Sequence, residues 1–186
     1  MEFLRKAYTS LIDTVQTLLL IFAAFLVVYV FLFRPFQVSG NSMHPTFINK
    51  EYILTNLVAL RFSKPKVGDV VVFRAPSDPE KDYIKRVIGA PGDIVFIRNG
   101  EVYVNNNLLN QQAYLSSAVK TYGGSFLKEG EPVTVPADSY FVLGDNRSGS
   151  SDSREWGFLP AKNLIGQSFF VYWPLDKMQI IKNPYK

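Results

Sequence analysis

The chain has 186 residues and no cysteine. Disulfides and thiol catalysis are excluded, although compartment is not, because an exported domain can do without disulfides. There is a single histidine, His44. That removes any zinc site needing two or more histidines or cysteines. It also leaves a Ser-His-Asp triad without a plausible base, since His44 stands two residues from Ser42 and such a base normally comes from elsewhere in the fold. A serine enzyme built on this chain has to use a different base. Charge is sparse too, at 19% against 47% hydrophobic residues, which argues against intrinsic disorder. The net charge of +4 splits into +1 over residues 1–34 and +3 over the rest. This mild excess favours anionic lipid slightly. With no basic cluster or basic–aromatic stripe, nucleic acid is not an expected partner. No internal repeat is visible.

What the sequence does have is one long apolar run. Residues 14–33 carry no charge and are bounded by Asp13 and Arg34. Twenty helical residues span about 30 Å, the thickness of the hydrocarbon layer. A buried core helix or a cleaved signal peptide would share this pattern. However, a signal peptide has a shorter apolar core followed by a small-x-small site, and here Arg34-Pro35-Phe36 follows. We read an uncleaved single-pass anchor. The flanking charges, Arg5 and Lys6 before and Arg34 and Lys50 after, nearly tie, with a slight lean to N-terminus inside. Pro35 is expected to stop the helix. From Arg34 to Ser42 the chain reaches at most about 25–30 Å, so Ser42 has to lie close to the membrane surface.

Beyond Pro45 the pattern is all-β. Short apolar or β-branched stretches recur at residues 52–54, 69–73, 83–88, 94–97, 102–104, 133–135, 140–143 and 164–173, separated by turn residues. Asn99-Gly100 is a hairpin signal. Residues 105–130 are polar and glycine-containing with poor periodicity, and read as an insertion or small cap. The expected fold is mainly β: a transmembrane helix followed by a barrel-like or sandwich all-β catalytic domain with a cap insertion. The expected division is a short cytoplasmic N-terminus at 1–13, an anchor at 14–33 and an extracytoplasmic domain at 34–186.

Three stretches have the residue types for chemistry. Ser42 sits in Phe36-Gln37-Val38-Ser39-Gly40-Asn41-Ser42-Met43-His44-Pro45, where Gly40 allows a close backbone approach and an N–H for an oxyanion. On composition alone, a polar turn is the default reading. Lys85, one of twelve lysines, lies in an apolar strand, Tyr83-Ile84-Lys85-Arg86-Val87-Ile88. Alternation puts Tyr83, Lys85 and Val87 on one face and Ile84, Arg86 and Ile88 on the other. One cation is then expected to be desolvated while the other reaches water. Burial lowers a lysine pKa from about 10.4, and a neutral amine can deprotonate a serine. A lysine snorkelling from an edge strand gives the same pattern. The third stretch, residues 144–157, is dense in turn residues and in Asp and Arg. It fails as a calcium loop, because Arg147 occupies the third position and no glutamate closes it. It reads either as a solvated loop or as a rigid, ion-paired support. His44 reads as a bystander.

Four blocks occur in order: Ser42-Met43-x-Pro45-Thr46, Gly68-Asp69-Val70-Val71-Val72-Phe73, Tyr83-Ile84-Lys85-Arg86-Val87-Ile88-Gly89-x-Pro91-Gly92-Asp93 and Gly144-Asp145-Asn146-Arg147-x-x-Ser150-x-Asp152-Ser153-Arg154. Together they resemble bacterial type I signal peptidase, the membrane-bound serine protease that removes signal peptides from exported proteins. The resemblance covers nearly the whole chain. It implies an endopeptidase that cuts after a small-x-small site through an acyl-enzyme, with Ser42 as nucleophile and Lys85 as general base. Ser150 matches the hydroxyl that orients the lysine, Asp152 and Arg154 match a supporting ion pair, and Asp145 belongs to the same block. The oxyanion donors would include the Ser42 N–H. Where some members place a second donor hydroxyl, this chain has Gly40. Phe36, Val38, Tyr83 and Ile84 would line the substrate pockets. The resemblance further implies exported preproteins as partners, a lipid bilayer, a monomer, no cofactor or metal, and a catalytic domain on the extracytoplasmic face of the cell membrane. A self-cleaving Ser–Lys regulator and a non-catalytic, membrane-tethered β binding domain are the rival readings.

Overall fold

The apolar run is helical, but the helix is longer than its uncharged stretch. A computed structural model describes residues 1–185, without the side chains of 28, 30 and 31; residue 186, the end of the expected β-domain, lies outside the described residues. Helix α1 spans Glu2–Leu32, so the 13 residues expected to precede the anchor continue it as helix. The charged start is tolerated because Glu2 and Lys6 stand one turn apart on the surface, 3.5 Å from each other. Its side chains from Phe3 to Val27 project outward with nothing packed over them. This is one helix long and apolar enough to cross a membrane. It ends at Leu32, where Phe33 takes extended backbone, three residues before Pro35 was expected to matter. Pro35 lies instead within an edge strand, where its missing N–H costs nothing.

The remaining elements are strands, two single-turn α-helices and two short 3-10 helices (Ala161–Asn163 and Leu175–Lys177): β1 Phe33–Gln37, β2 Tyr52–Asn56, α2 Ala59–Phe62, β3 Val70–Ala75, β4 Asp78–Gly89, β5 Ile94–Arg98, β6 Glu101–Val104, β7 Asn107–Leu108, β8 Val133–Thr134, β9 Ser139–Leu143, α3 Ser153–Trp156, β10 Leu159–Pro160, β11 Leu164–Trp173 and β12 Gln179–Ile180. An eight-stranded sheet runs β1-β2-β11-β3-β4-β9-β10, with β12 also on β11; a four-stranded sheet runs β7-β6-β5-β8. All pairings are antiparallel. The larger sheet is open, with β1 and β10 at its ends.

The unbroken run Val70-Val71-Val72-Phe73 makes β3 a central strand with both faces covered. Val70 and Val72 join a cluster with Val38, Met43, Phe47, Ile53 and Val171. Val71 and Phe73 join another with Val87, Tyr140, Val142 and Leu159. A third cluster, holding Ile88, Phe141 and Leu143 of the large sheet with Val95, Ile97 and Val102 of the small one, joins the two sheets. Residues 105–130 are more than a cap. Leu127 is fully buried in this third cluster, and β7 extends the small sheet.

Candidate active site

The loop between β1 and β2 is closed at its neck. Val38 N–H donates to Glu51 O at 2.8 Å, and Lys50 N–H donates to Val38 O at 2.8 Å. Met43 and Phe47 are buried beneath it and fix its shape. Gly40 holds a φ of +89°, a region other side chains rarely adopt, and its N–H donates to Asn49 Oδ1 at 3.0 Å. The Gly40 N–H is thus already engaged. The Ser42 N–H makes no hydrogen bond among the described residues. The Ser42 carbonyl accepts from Asn146 N–H at 3.0 Å, and Asn146 Nδ2 donates to Asn41 O at 3.1 Å. The Ser42 loop is therefore tied directly to the Asp145-Asn146 stretch.

Strand β4 brings Lys85 to the same point. Its Nζ donates to Ser42 Oγ at 2.8 Å and to the Ile84 carbonyl at 2.9 Å. The Tyr83 ring lies 5.2 Å away. Lys85 is 3% exposed, and this burial pulls its amine down to about 8, against the opposing pull of the Asp152 and Asp145 carboxylates. A hydroxyl hydrogen-bonded to a buried amine of lowered pKa has the geometry that a nucleophile–base pair requires.

The expectation that Arg86 reaches water is corrected by the structure. Arg86 is only 2% exposed. It is buried because it is paired: Nε and NH2 meet the two Asp145 oxygens at 2.9 and 2.7 Å. NH1 donates to Gly68 O at 2.9 Å, and the Tyr114 ring stacks at 4.1 Å. Thr46 also donates to Asp145. A bidentate guanidinium–carboxylate pair satisfies most of what burial removes. The signal in sequence was Asp145 itself, but nothing local says which cation it faces.

Asp152 and Arg154 form the expected pair, at 2.8 and 2.9 Å. Asp152 also caps α3 and accepts the Gly144 N–H at 3.0 Å. Ser150 does not bond to Lys85; its Oγ is buried without a hydrogen-bond partner among the described residues and lies against Gly144. A side chain at 144 would collide with Ser150 Oγ and the Ser42 carbonyl, so only glycine lets β9 end this close to the Ser42 loop. Arg147, a candidate for ion pairing within its block, is buried but pairs with no carboxylate among the described residues: Nε donates to Gly144 O at 3.0 Å and NH1 to Thr121 Oγ1 at 2.7 Å. His44 is exposed.

A cleft of about 240 Å³ opens over the pair. Phe36, Val38, Tyr83 and Ile84 all line it, as do Ser42 and Lys85. Sequence reasoning missed Gln37, Asp82 and Ser151 on the same walls. Residues 78–85 of β4 pair with β3 alone, because β9 joins only from Arg86 onward. One backbone edge of β4 is thus open beside the cleft. Among the described residues no group of three or more His, Cys, Asp or Glu side chains is arranged to hold a metal ion.

The family model described as signal peptidase, peptidase S26, matches residues 11–173. Signal peptidase I P of Bacillus subtilis subsp. natto is 32% identical over 181 residues, covering 96% of this chain and 97% of its own. Signal peptidase I of Bacillus amyloliquefaciens is 33% identical, covering 94% of each. Thylakoidal processing peptidase 1 of Arabidopsis thaliana, a chloroplastic protein, is 38% identical over 155 residues, covering 78% of this chain and 43% of its own.

Proposed function

The chain belongs to the signal peptidase family, peptidase S26, and on that premise we propose that Ser42 and Lys85 are the dyad with which it works. It is a signal peptidase, a membrane serine endopeptidase that removes signal peptides from exported preproteins. The observation that carries the dyad is the 2.8 Å hydrogen bond from the Lys85 amine to Ser42 Oγ inside the cleft.

In the proposed reaction the substrate lies extended along the open edge of β4, held by main-chain hydrogen bonds, with alternate side chains in the cleft. Neutral Lys85 takes the Ser42 proton as Oγ attacks the scissile carbonyl. The Ser42 N–H stabilises the oxyanion. Lys85 then returns the proton to the leaving amine, and water attacks the acyl-enzyme with the same lysine as base. Phe36, Val38, Tyr83 and Ile84 shape the subsites, and their close walls support a preference for small residues. Gly40 has no hydroxyl to give and its N–H is bound to Asn49, so a second oxyanion donor would need that bond to open or a water to enter. Asp145, Asp152 and Arg154 hold the Ser42–Lys85 geometry from behind. The proposed role of Ser150, whose buried Oγ has no hydrogen-bond partner among the described residues, is to orient the Lys85 amine by accepting from one of its N–H groups.

The domain division, orientation and assembly belong to the same reading. Helix α1 is the single anchor and leads without a linker into β1, with Leu57 N–H on Leu32 O at 3.0 Å. This supports a catalytic β-domain seated on the bilayer; its place on the extracytoplasmic face, with the N-terminus in the cytoplasm, is taken from the family reading. Dyad and cleft come from one chain, which supports a monomer.

The test is cleavage of a preprotein with an Ala-x-Ala site by detergent-solubilised protein. Ser42→Ala and Lys85→Ala should each lose about three or more orders of magnitude in kcat/KM. Wild-type cleavage by Ser42→Ala would overturn the dyad. Processing of the enzyme's own chain in place of the preprotein would favour the self-cleaving reading.

A further inference from the structure

The family match ends at residue 173, yet the segment after it reaches back to the active site from the far side. Gln179 Nε2 donates to Thr46 O at 3.3 Å, four residues after the nucleophile. Asn183 Nδ2 donates to Val67 O at 2.9 Å and to Asp69 Oδ1 at 2.7 Å. Asn183 Oδ1 accepts the Tyr185 N–H at 2.8 Å. The Tyr185 hydroxyl meets the Tyr114 hydroxyl at 3.3 Å. Both Asn183 and Tyr185 press on Gly68 so closely that a Cβ there would collide with them.

What this segment holds is the stretch that fixes Lys85. The Gly68 carbonyl accepts from Arg86, and the Gly68 N–H donates to Val87 O at 2.8 Å. Val87 N–H returns to Asp69 O at 2.8 Å. The Tyr114 ring covers the Arg86 guanidinium. The 66–69 turn, Arg86 and Tyr114 thus form one unit behind β4, and Asn183 and Tyr185 close it.

We propose that Asn183 and Tyr185 are positioning residues for the Lys85 base, clamping the 66–69 turn and Arg86 behind the strand that carries it. The inference rests on the dyad reading. Lys85 is the next residue in the strand, so slack in Arg86 moves the amine relative to Ser42 Oγ, and such misplacement at a distance is expensive in rate. Slack also changes charge. The carboxylates that act on Lys85 are Asp152 and Asp145. Arg86, which also feels Tyr114 and Tyr185, is the ion-pair partner of Asp145. A looser Arg86 leaves more of the Asp145 charge to hold the proton on Lys85.

The test uses the full chain in detergent with Asn183→Ala, Tyr185→Ala and Tyr185→Phe, read in two ways. In hydrogen exchange, Asn183→Ala and Tyr185→Ala should speed exchange in the 66–69 and 85–88 backbone by about tenfold and leave β5 and β6 unchanged. In preprotein cleavage they should lower kcat about tenfold with KM within about twofold, and move the acid limb of the pH profile upward. Tyr185→Phe, which keeps the ring on Gly68, should restore most of both. Wild-type exchange and kcat in all three would overturn the clamp. So would a raised KM at unchanged kcat, or losses that merely follow the fraction folded. If the exchange effect appears while Ser42→Ala still cleaves, the clamp stands as structure and it is the dyad reading that fails.

Discussion

Lys85 and Arg86 are neighbours on β4 and are almost equally buried, at 3% and 2% exposure. They differ in what surrounds them. Arg86 meets a carboxylate with two of its nitrogens, a carbonyl with the third, and an aromatic ring with its face. Lys85 meets a hydroxyl, a carbonyl and, at 5.2 Å, the Tyr83 ring, and no carboxylate pairs with it among the described residues. One face of the strand holds a cation that stays charged. The other holds an amine for which charge is costly. Burial is common to both, so it is pairing that separates a cation held charged from an amine whose pKa is lowered. Tilting the strand's two faces toward opposite environments is what makes this difference available within one residue step.

The comparison breaks most visibly in activity. Lys85→Ala should remove about three or more orders of magnitude in kcat/KM and leave the fold intact. Arg86→Ala should do the reverse first. It strands Asp145 in the interior and should cost about 3–5 kcal/mol in a denaturant titration, with activity lost through unfolding. If Arg86→Ala were as stable as wild type, the ion pair would not be the brace described here. A smaller effect has the opposite sign. Lys85→Met replaces an unpaired buried amine with an apolar chain of similar length and should raise stability at pH 7 by about 1–3 kcal/mol. The sign follows from the proton count. The unfolded lysine keeps its proton to about 10.5 and the folded one only to about 8, so the unfolded state binds more protons between those values. Wild-type stability should therefore rise from pH 8 to 10.5 relative to the variant, erasing the variant's advantage at the top of that window. A wild type that is more stable than Lys85→Met at pH 7 would contradict the costly-amine account. The smallest effect belongs to the exposed cation of the same strand. Lys81 lies 2.6 Å from Asp78 in solvent, and Lys81→Ala should leave the melting midpoint where it is.

What could be read in the sequence was local. Ser42 and Lys85 sit in compact blocks, and period-2 alternation was enough to place Tyr83 and Lys85 on one face; Phe36, Val38, Tyr83 and Ile84 were carried over by the resemblance and line the cleft. The partner of Arg86 was not legible, because it comes from residue 145 and its stacking ring from residue 114. The same holds for residues 105–130. Without periodicity they read as a cap, yet single residues in them are structural: Leu127 in the core, Thr121 on Arg147, Tyr114 on Arg86. Each such contact is made by one residue in a run of turns, which leaves no repeat for a pattern to catch. Composition found the apolar run but not the start of its helix, since helix geometry does not stop at a charge when the flanking turns can pair Glu2 with Lys6. The Asp152–Arg154 pair was anticipated from the resemblance, with both residues inside one block and two positions apart.

The central claim is that Lys85 works as a neutral amine because burial makes its charge costly. The most direct measurement is kcat/KM for the Ala-x-Ala preprotein across pH 6 to 11, with a control that the protein stays folded over that range. Activity should rise as Lys85 loses its proton and level off above an apparent pKa near 8. An activity that begins to rise only near the free-lysine value of about 10.4, or that shows no basic group at all, would contradict it.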